Sequence, residues 1–371
     1  MNISIILSKN KLLSNFVRII ILIGVKILRA TKKLAGKSSG NDIVVINFHK
    51  LGDSVFTIPA LKELRRFYKK DFYIFCFEET VPIFELYFKQ EYLISFKHSD
   101  FIFEGRLAKG KIRQKIKKLR PKIIFDLTGG LSTASIIYFS RANDIIGISE
   151  NYFKPLYTKY IPVRKSPHIM DIYLDAVKPV IPVFNDEIKK FNYIENKDEH
   201  IIIHPFAGWK AKEWNLTKFI DLSEKINHNY KTIIVAEPGN LKDEIKKEIK
   251  ERGIKIVETK NIYELIRNIE RCSLIISNDS GPIYIANMLG KPTFTIYGPT
   301  NPKFHLPYGD IHRYIQKKLN CTPEPRMKSC FTDAGRNGCP SFECMNILSV
   351  EEVYTEIKLL IHKLRINNVS N

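Results

Sequence analysis

Aspartate and glutamate are missing from the first 41 residues, which hold eight Lys/Arg (Lys9, Lys11, Arg18, Lys26, Arg29, Lys32, Lys33 and Lys37) and supply +8 of a formal charge of +20. Fields of that sign and size call for an anionic partner. Long apolar runs are missing too. The stretch Ile19 to Val25 is seven residues long between Arg18 and Lys26, against the roughly twenty that a bilayer span needs, so no spanning helix is expected there. No small-residue cleavage site follows it, which argues against a cleaved signal peptide.

Cysteine is scarce, six in 371 residues, and Cys76 and Cys272 stand alone. A secreted disulfide scaffold is excluded, and a reducing cytoplasm is expected. Cys321, Cys330, Cys339 and Cys344 do cluster in sequence, but without the paired C-x2-C knuckle of ordinary zinc sites. Metal binding and buried thiols both stay open for them, and no metal ligand is assigned. After residue 41 there is no zinc-finger spacing, no RNP-like aromatic strand and no dense basic helix, so no nucleic-acid partner is expected. Neither G-x-G-x-x-G after the first strand of a domain nor G-x-x-x-x-G-K-[ST] occurs, which removes the main support for dehydrogenase and kinase readings.

What is present is a globular composition, 44% hydrophobic and 26% charged, in a chain long enough for two cores. From Gly40 onward, apolar runs alternate with helical periodicity, the pattern of parallel sheets covered by helices. Strands are expected at Ile43 to Phe48, Tyr73 to Phe77, Tyr92 to Phe96, Ile123 to Leu127 and Ile145 to Ile148. A proline-rich stretch from Tyr152 to Asn196 interrupts that rhythm. A second series follows at His200 to His204, Thr232 to Ala236, Lys255 to Val257, Leu274 to Ser277 and Thr293 to Tyr297. The expected organisation is a basic amphipathic segment over 1–40, doubly wound domains over 41–195 and 196–348 with a ligand cleft between them, and a terminal helix and tail over 349–371.

On a helical wheel, Lys11, Ser14, Asn15, Arg18, Lys26, Arg29, Lys32 and Lys33 fall within a sector of about 120°, with Leu22 and Val25 intruding. Leu12, Leu13, Phe16, Ile19, Ile20, Ile21, Ile23, Ile27 and Leu28 occupy the other face. Such a helix can lie in the headgroup plane of an anionic leaflet or dock on the protein's own surface.

Four turns can carry chemistry. The first strand runs into His49-Lys50-Leu51-Gly52-Asp53-Ser54 ahead of a helix from Val55 to Tyr68 that contains Pro59. Gly52 suits a tight turn or a close ligand, and Asp53 is either a cap or a catalyst. The loop His204 to Trp214 offers Lys210 and Lys212 to a diphosphate and holds both tryptophans. Ser277-Asn278-Asp279-Ser280-Gly281-Pro282 leaves a strand for a helix, so the N–H groups of Ser280 and Gly281 can meet a phosphate. Tyr297-Gly298-Pro299-Thr300 is a second turn able to close the same pocket.

These segments together resemble glycosyltransferase family 9, the heptosyltransferases of lipopolysaccharide core assembly. The likeness spans about residues 43 to 360. It rests on Leu51-Gly52-Asp53 with Pro59-Ala60-Leu61, on Phe125-Asp126-Leu127 with Gly129-Gly130, on Lys212-Glu213-Trp214, on Asn278-Asp279-Ser280-Gly281-Pro282, and on Tyr297-Gly298-Pro299-Thr300 with Pro302. Cys344-Met345 is similar as well.

The resemblance implies a GT-B fold of two Rossmann-like domains facing a central cleft, an acceptor-binding N-terminal domain, and a C-terminal domain for the nucleotide sugar. It implies inverting transfer of heptose from ADP-heptose to a lipid-linked core oligosaccharide, with no cofactor and no metal, by a protein peripheral on the cytoplasmic face of the inner membrane. Asp53 would be the general base, with Gly52 and Lys50 in the acceptor-side loop, and Lys212 would neutralise the leaving diphosphate. Asp279, Ser280, Gly281, Thr300 and Tyr284 would contact the donor, and Glu237 its ribose. Tyr284 stands where the family commonly has histidine and bears on donor identity, a relative using another nucleotide sugar being the alternative; Ser54 replaces a small apolar residue. The competing class is a GT-B protein that binds nucleotide sugars at the membrane without catalysis.

Overall fold

A computed structural model describes residues 20, 23, 24, 26, 27, 30, 31, 38, 40–102, 107–138, 140–148, 154–161, 168–182, 186–193, 200–323, 327–330, 339 and 341–369. The chain divides into two compact units, Met1–Arg164 with Met170–Phe184, and Lys165–Ile169 with Asn185–Asn371.

In the first unit the elements follow as β1 (Ile43–Asn47), α1 (Leu51–Tyr68), β2 (Tyr73–Phe77), α2 (Val81–Glu85), β3 (Leu93–Phe96), the short strands β4 (Phe101–Ile102) and β5 (Leu107–Ala108), and α3 (Gly110–Leu119). They continue with β6 (Ile123–Asp126), α4 (Gly130–Ile137), β7 (Asp144–Gly147), β8 (Lys159–Tyr160) and α5 (Ile169–Val177). The six-stranded sheet runs β3-β2-β1-β6-β7-β8, parallel throughout, while β4 and β5 pair antiparallel on their own. The central strand Ile-Val-Val-Ile-Asn is buried at every residue, the signature of a parallel strand covered on both faces. Val44, Ile46, Phe75 and Ile124 pack with Ile112 and Ile116 of α3 in one core layer. Val55, Ile58 and Leu61 of α1 are also fully buried.

The second unit repeats the plan with β9 (Ile201–His204), α6 (Leu216–Asn227), β10 (Thr232–Ala236), α7 (Asp243–Glu251), β11 (Lys255–Glu258), α8 (Ile262–Glu270) and β12 (Leu274–Asn278). Then come α9 (Gly281–Met288), β13 (Thr293–Tyr297), α10 (Pro302–His305), β14 (His312–Gln316), α11 (Glu343–Asn346) and α12 (Val350–Val369). Its parallel sheet runs β11-β10-β9-β12-β13-β14. Asn215 and Asn261 cap α6 and α8, their side chains accepting the N–H of Thr217 at 2.8 Å and of Glu264 at 3.0 Å. Val353, Ile357 and Leu360 line one stripe of α12 and enter the same core as Trp214 and Phe219. Each such fully buried side chain contributes about 1.5–3 kcal/mol.

Both sheets therefore have the doubly wound order in which the chain reverses direction beside its first strand, and each unit that a GT-B fold requires is present. Ligands of such sheets bind outside the carboxyl ends of the strands at that reversal, between β1 and β6 and between β9 and β12. The turns read from the sequence lie at these two places.

Candidate active site

In the first unit, α1 begins at Leu51, one turn before the expected Val55, so Gly52 and Asp53 belong to its first turn. Gly52 is not among the positive-φ glycines, and the turn does not draw on its conformational freedom. Lys50, exposed, holds the N-cap position with no side-chain cap bond, which leaves Asp53 as the third helical residue, where the positive end of the helix favours a carboxylate. Asp53 is half-buried, and its carboxylate has no hydrogen-bond partner among the described residues. Its charge is felt by half-buried His49 and by buried Tyr173. Burial pushes the Tyr173 phenol far above its usual range, and Asp53 adds to the effect.

The facing turn after β6 is built around Asp126. Its carboxylate accepts the N–H groups of Thr128 at 3.0 Å and Gly129 at 2.9 Å and the hydroxyl of Tyr157 at 2.5 Å. Burial raises its proton affinity against the pull of these donors. Gly129 and Gly130 take φ of +73° and +83°, which is why two glycines follow here. Thr128 then receives the Phe48 N–H at 2.8 Å, and His49 Nε2 donates to the Leu127 carbonyl at 2.8 Å, fastening this turn to the one that carries Asp53.

In the second unit, Lys212 ends a short 3-10 turn, Lys210–Lys212, and its Nζ lies 2.6 Å from Asp279 Oδ2 and 3.3 Å from the Asp279 carbonyl. Thr300 Oγ1 donates to the same Oδ2 at 2.7 Å, and the Tyr284 hydroxyl donates to Oδ1. Both carboxylate oxygens are thus engaged. Burial pushes the Asp279 carboxyl up, but the charges of Lys212 and His305 and the hydrogen bonds from Lys212 and Tyr284 outweigh it and hold the group well below the ordinary carboxylate range. The Tyr284 phenol moves the other way, raised by burial and by the charge of Asp279.

Ser280 is the N-cap residue of α9, and its hydroxyl meets Ser277 Oγ at 2.9 Å, so its side chain makes no cap bond with the helix. Gly281 opens the helix. Asn278 spans from the Trp214 N–H to the Pro205 carbonyl, at 3.0 and 2.7 Å, and ties the β12 turn to the loop that bears Lys212. Gln316 donates to the carbonyls of Gly298 and Thr300, both at 2.8 Å, and fixes the second turn from β14. Segment 327–330 straps that turn through Asn301 N to the Lys328 carbonyl at 2.9 Å and Cys330 N to the Pro299 carbonyl at 2.8 Å.

Other expected residues lie apart from this network. Lys210 pairs with Glu213 Oε2 at 2.8 Å on the surface. Glu237 is exposed just after β10. Of the two tryptophans, Trp209 lies 4.7 Å below the Lys212 ammonium, whereas Trp214 is a core residue whose indole N–H donates to the Leu348 carbonyl at 3.0 Å. The thiol of Cys344 is pushed up to about 11 by burial and by the nearby Cys330, Cys321 and Cys339. Among the described residues, no group of three or more His, Cys, Asp or Glu is arranged to hold a metal ion.

Asn278, Gln316, His49 and Tyr173 had no assigned role in the sequence. Asn278 lay inside a recognised segment. Gln316 and Tyr173 carry no local signal at all.

The family model for glycosyltransferase family 9 (heptosyltransferase) matches residues 110–334. The chain is 25% identical over 327 residues to lipooligosaccharide heptosyltransferase 2 of Campylobacter jejuni subsp. jejuni serotype O:6, covering 84% of this chain and 96% of that one. Among solved structures, the family 9 glycosyltransferase of Veillonella parvula DSM 2008 superposes with a TM-score of 0.68 at 20% identity, covering 88% of this chain and 99% of that one. The E. coli ADP-heptose LPS heptosyltransferase II follows with 0.66 at 15% identity, covering 87% and 99%.

Proposed function

Because the chain belongs to glycosyltransferase family 9, we propose that it transfers heptose from ADP-heptose to the core of a lipid-linked oligosaccharide, with inversion at the anomeric carbon. The observations that carry the chemistry are two turns, one in each unit. One presents a carboxylate without a hydrogen-bond partner among the described residues, Asp53, at a helix N-terminus, and the other an ammonium, Lys212, beside the helix N-terminus at Ser280 and Gly281.

Asp53 takes the proton of the acceptor hydroxyl as its oxygen attacks the anomeric carbon. The bond from that carbon to the diphosphate breaks on the opposite face. Lys212 and the N–H groups at the start of α9 meet the charge that develops on the diphosphate, while the one O–H of Thr300, the phosphate contact expected from the sequence, is given to Asp279 Oδ2. Asp279 acts by aiming Lys212, since its own oxygens are bonded to Lys212, Thr300 and Tyr284. Glu237 is assigned to the ribose and Lys50 with Gly52 to the acceptor side. This chemistry uses no divalent metal, and transfer is expected to persist in EDTA.

Transfer of heptose from ADP-heptose to a truncated lipooligosaccharide is the direct test. Asp53→Ala should lower kcat by about 10²–10⁴ while ADP binding, read by calorimetry, is unchanged. Undiminished transfer by Asp53→Ala removes it as base. Binding of ADP without transfer from any nucleotide sugar favours the non-catalytic alternative.

The same reading places the protein on the cytoplasmic face of an anionic membrane, where such an acceptor resides. The expected amphipathic helix lies mostly outside the described residues, but Ile20, Ile23 and Ile27 are 53%, 54% and 59% exposed at spacings that share one helical face. Among the described residues no helix is long and apolar enough to cross a membrane. A triple Ile→Ser variant at these positions should lose sedimentation with anionic liposomes and keep activity on a detergent-dispersed acceptor. Equal sedimentation of variant and wild type refutes the membrane contact.

A further inference from the structure

Helix α3, Gly110–Leu119, is a dense basic helix, although none was expected beyond residue 41. Between Glu104 and Asp126 the chain has nine Lys/Arg and no acidic residue. Ile112, Ile116 and half-buried Leu119 form the inner stripe of α3 and enter the core of the first unit. Its outer surface carries Lys111, Arg113, Gln114, Lys115, Lys117 and Lys118, all exposed except half-buried Arg113. Some of these charges have local uses. Lys111 pairs with Asp100 Oδ2 at 3.5 Å, and Lys117 and Lys118 suit the negative end of the helix. Lys115, Lys118 and Lys122 make no side-chain hydrogen bond or ion pair among the described residues.

The chain that carries exposed Ile20, Ile23 and Ile27 is fastened beside the same helix. Arg120 closes α3 with φ of +46°, and its carbonyl accepts the Ser38 hydroxyl at 2.6 Å. A Cβ on Gly40 would stand 2.0 Å from that carbonyl oxygen, so the backbone runs directly against the end of α3. The Ser38 N–H donates to Asn143 Oδ1 at 3.0 Å. The Thr31 hydroxyl lies 3.0 Å from that of Tyr138, which ends α4, the neighbour of α3. This junction sits at the amino ends of the strands, where the Lys122 N–H donates to the Asp42 carbonyl at 2.8 Å and the Asn143 N–H to the Lys122 carbonyl at 3.0 Å. Asp53 follows the carboxyl end of β1, at the opposite edge of the sheet.

We propose that the outer face of α3 and the isoleucines of the N-terminal segment form one docking surface for an anionic lipid bilayer. The lysines meet headgroup phosphates, and the isoleucines enter the acyl boundary. The inference rests on the membrane contact proposed above and adds its electrostatic half. An apolar anchor of limited size holds a bilayer reversibly, and a polybasic patch beside it makes the attachment stable. A duplex nucleic acid would use the lysines but leave the isoleucines exposed, and the outer face of α3 has no aromatic ring to stack on a base. Docking here leaves the turn that carries Asp53 open.

Sedimentation of the full chain with phosphatidylcholine vesicles, with and without phosphatidylglycerol, tests this. Replacing Lys115, Lys118 and Lys122 together by Gln should weaken binding to the anionic vesicles about 10²-fold, each lysine near such a surface being worth about five-fold. The melting temperature should not change, since all three side chains are exposed. Arginine at the same positions keeps the charge and should bind as the wild type does. Without phosphatidylglycerol, the Gln variant and the wild type should bind alike. A Gln variant that matches the wild type on anionic vesicles overturns the inference, as does an Arg variant as weak as the Gln variant. So does a Gln variant that keeps its hold on vesicles but loses duplex DNA. If the Gln variant binds normally while the triple Ile→Ser variant does not, the N-terminal contact stands without α3. If both bind normally, the membrane contact itself falls.

Discussion

Lys212→Met would remove one charge from a pair that is nearly closed to solvent, with side-chain exposures of 17% for Lys212 and 3% for Asp279. Breaking such a pair costs about 3–5 kcal/mol, because the remaining charge is left in the protein. Tyr284 and Thr300 still donate to Asp279 in the variant, each bond being worth about 1 kcal/mol, so the low end, about 3 kcal/mol, is expected. Asp279→Asn should be milder, about 1–2 kcal/mol, since Lys212 can turn its ammonium to water. The double substitution should then be more stable than Lys212→Met alone.

In the wild type the Asp279 carboxyl is held below its ordinary range, so the stability it contributes is present above the unfolded value of about 3.9 and is lost as pH falls through the folded one. Without Lys212, burial raises that carboxyl, and the deficit of Lys212→Met should shrink in mild acid as Asp279 takes up a proton. The chain's two tryptophans, Trp209 and Trp214, both flank this site, so their fluorescence during urea unfolding reports on the second unit. A Lys212→Met cost no greater than that of Asp279→Asn, or a double variant no more stable than Lys212→Met, refutes a buried pair of this kind.

Two further outcomes follow from packing. A Cβ on Gly147 would stand 2.3 Å from the Asp126 carbonyl oxygen, a rigid backbone atom, whereas one on Gly298 would meet the mobile Met345 Sδ at 2.6 Å. Calorimetric melting should therefore show a larger drop for Gly147→Ala, about 3 kcal/mol, than for Gly298→Ala, about 1 kcal/mol. Tyr284→Phe removes one of the donors to Asp279 and should lower urea stability by about 1–2 kcal/mol while leaving transfer measurable.

The parallel sheets were legible because buried parallel strands are nearly unbroken apolar runs, as in Ile43–Asn47 and Leu274–Asn278. Strand β14, His-Arg-Tyr-Ile-Gln, escaped because it lies at the sheet edge with no fully buried residue and so lacks that run. Strand β8 has two residues, too few for any period. At the site, Asp53, Lys212, Asp279 and Thr300 could each be picked out, but the bonding among the last three could not. Lys212 and Asp279 are 67 positions apart and meet only through the reversal of the sheet. Trp214 shows the opposite error: its neighbourhood suggested a ligand, while its burial and its bond to Leu348 make it a strut of the core.

The pairing of Lys212 with Asp279 also limits how far the site can act. Taken together the two carry no net charge, so an approaching diphosphate meets a dipole, whose pull dies away much faster with distance than that of a lone cation. Capture from solution then falls to the diffuse excess of +20 spread over the chain, and recognition to the last few ångströms. Added salt should accordingly slow the arrival of the nucleotide sugar far more than it hastens its departure.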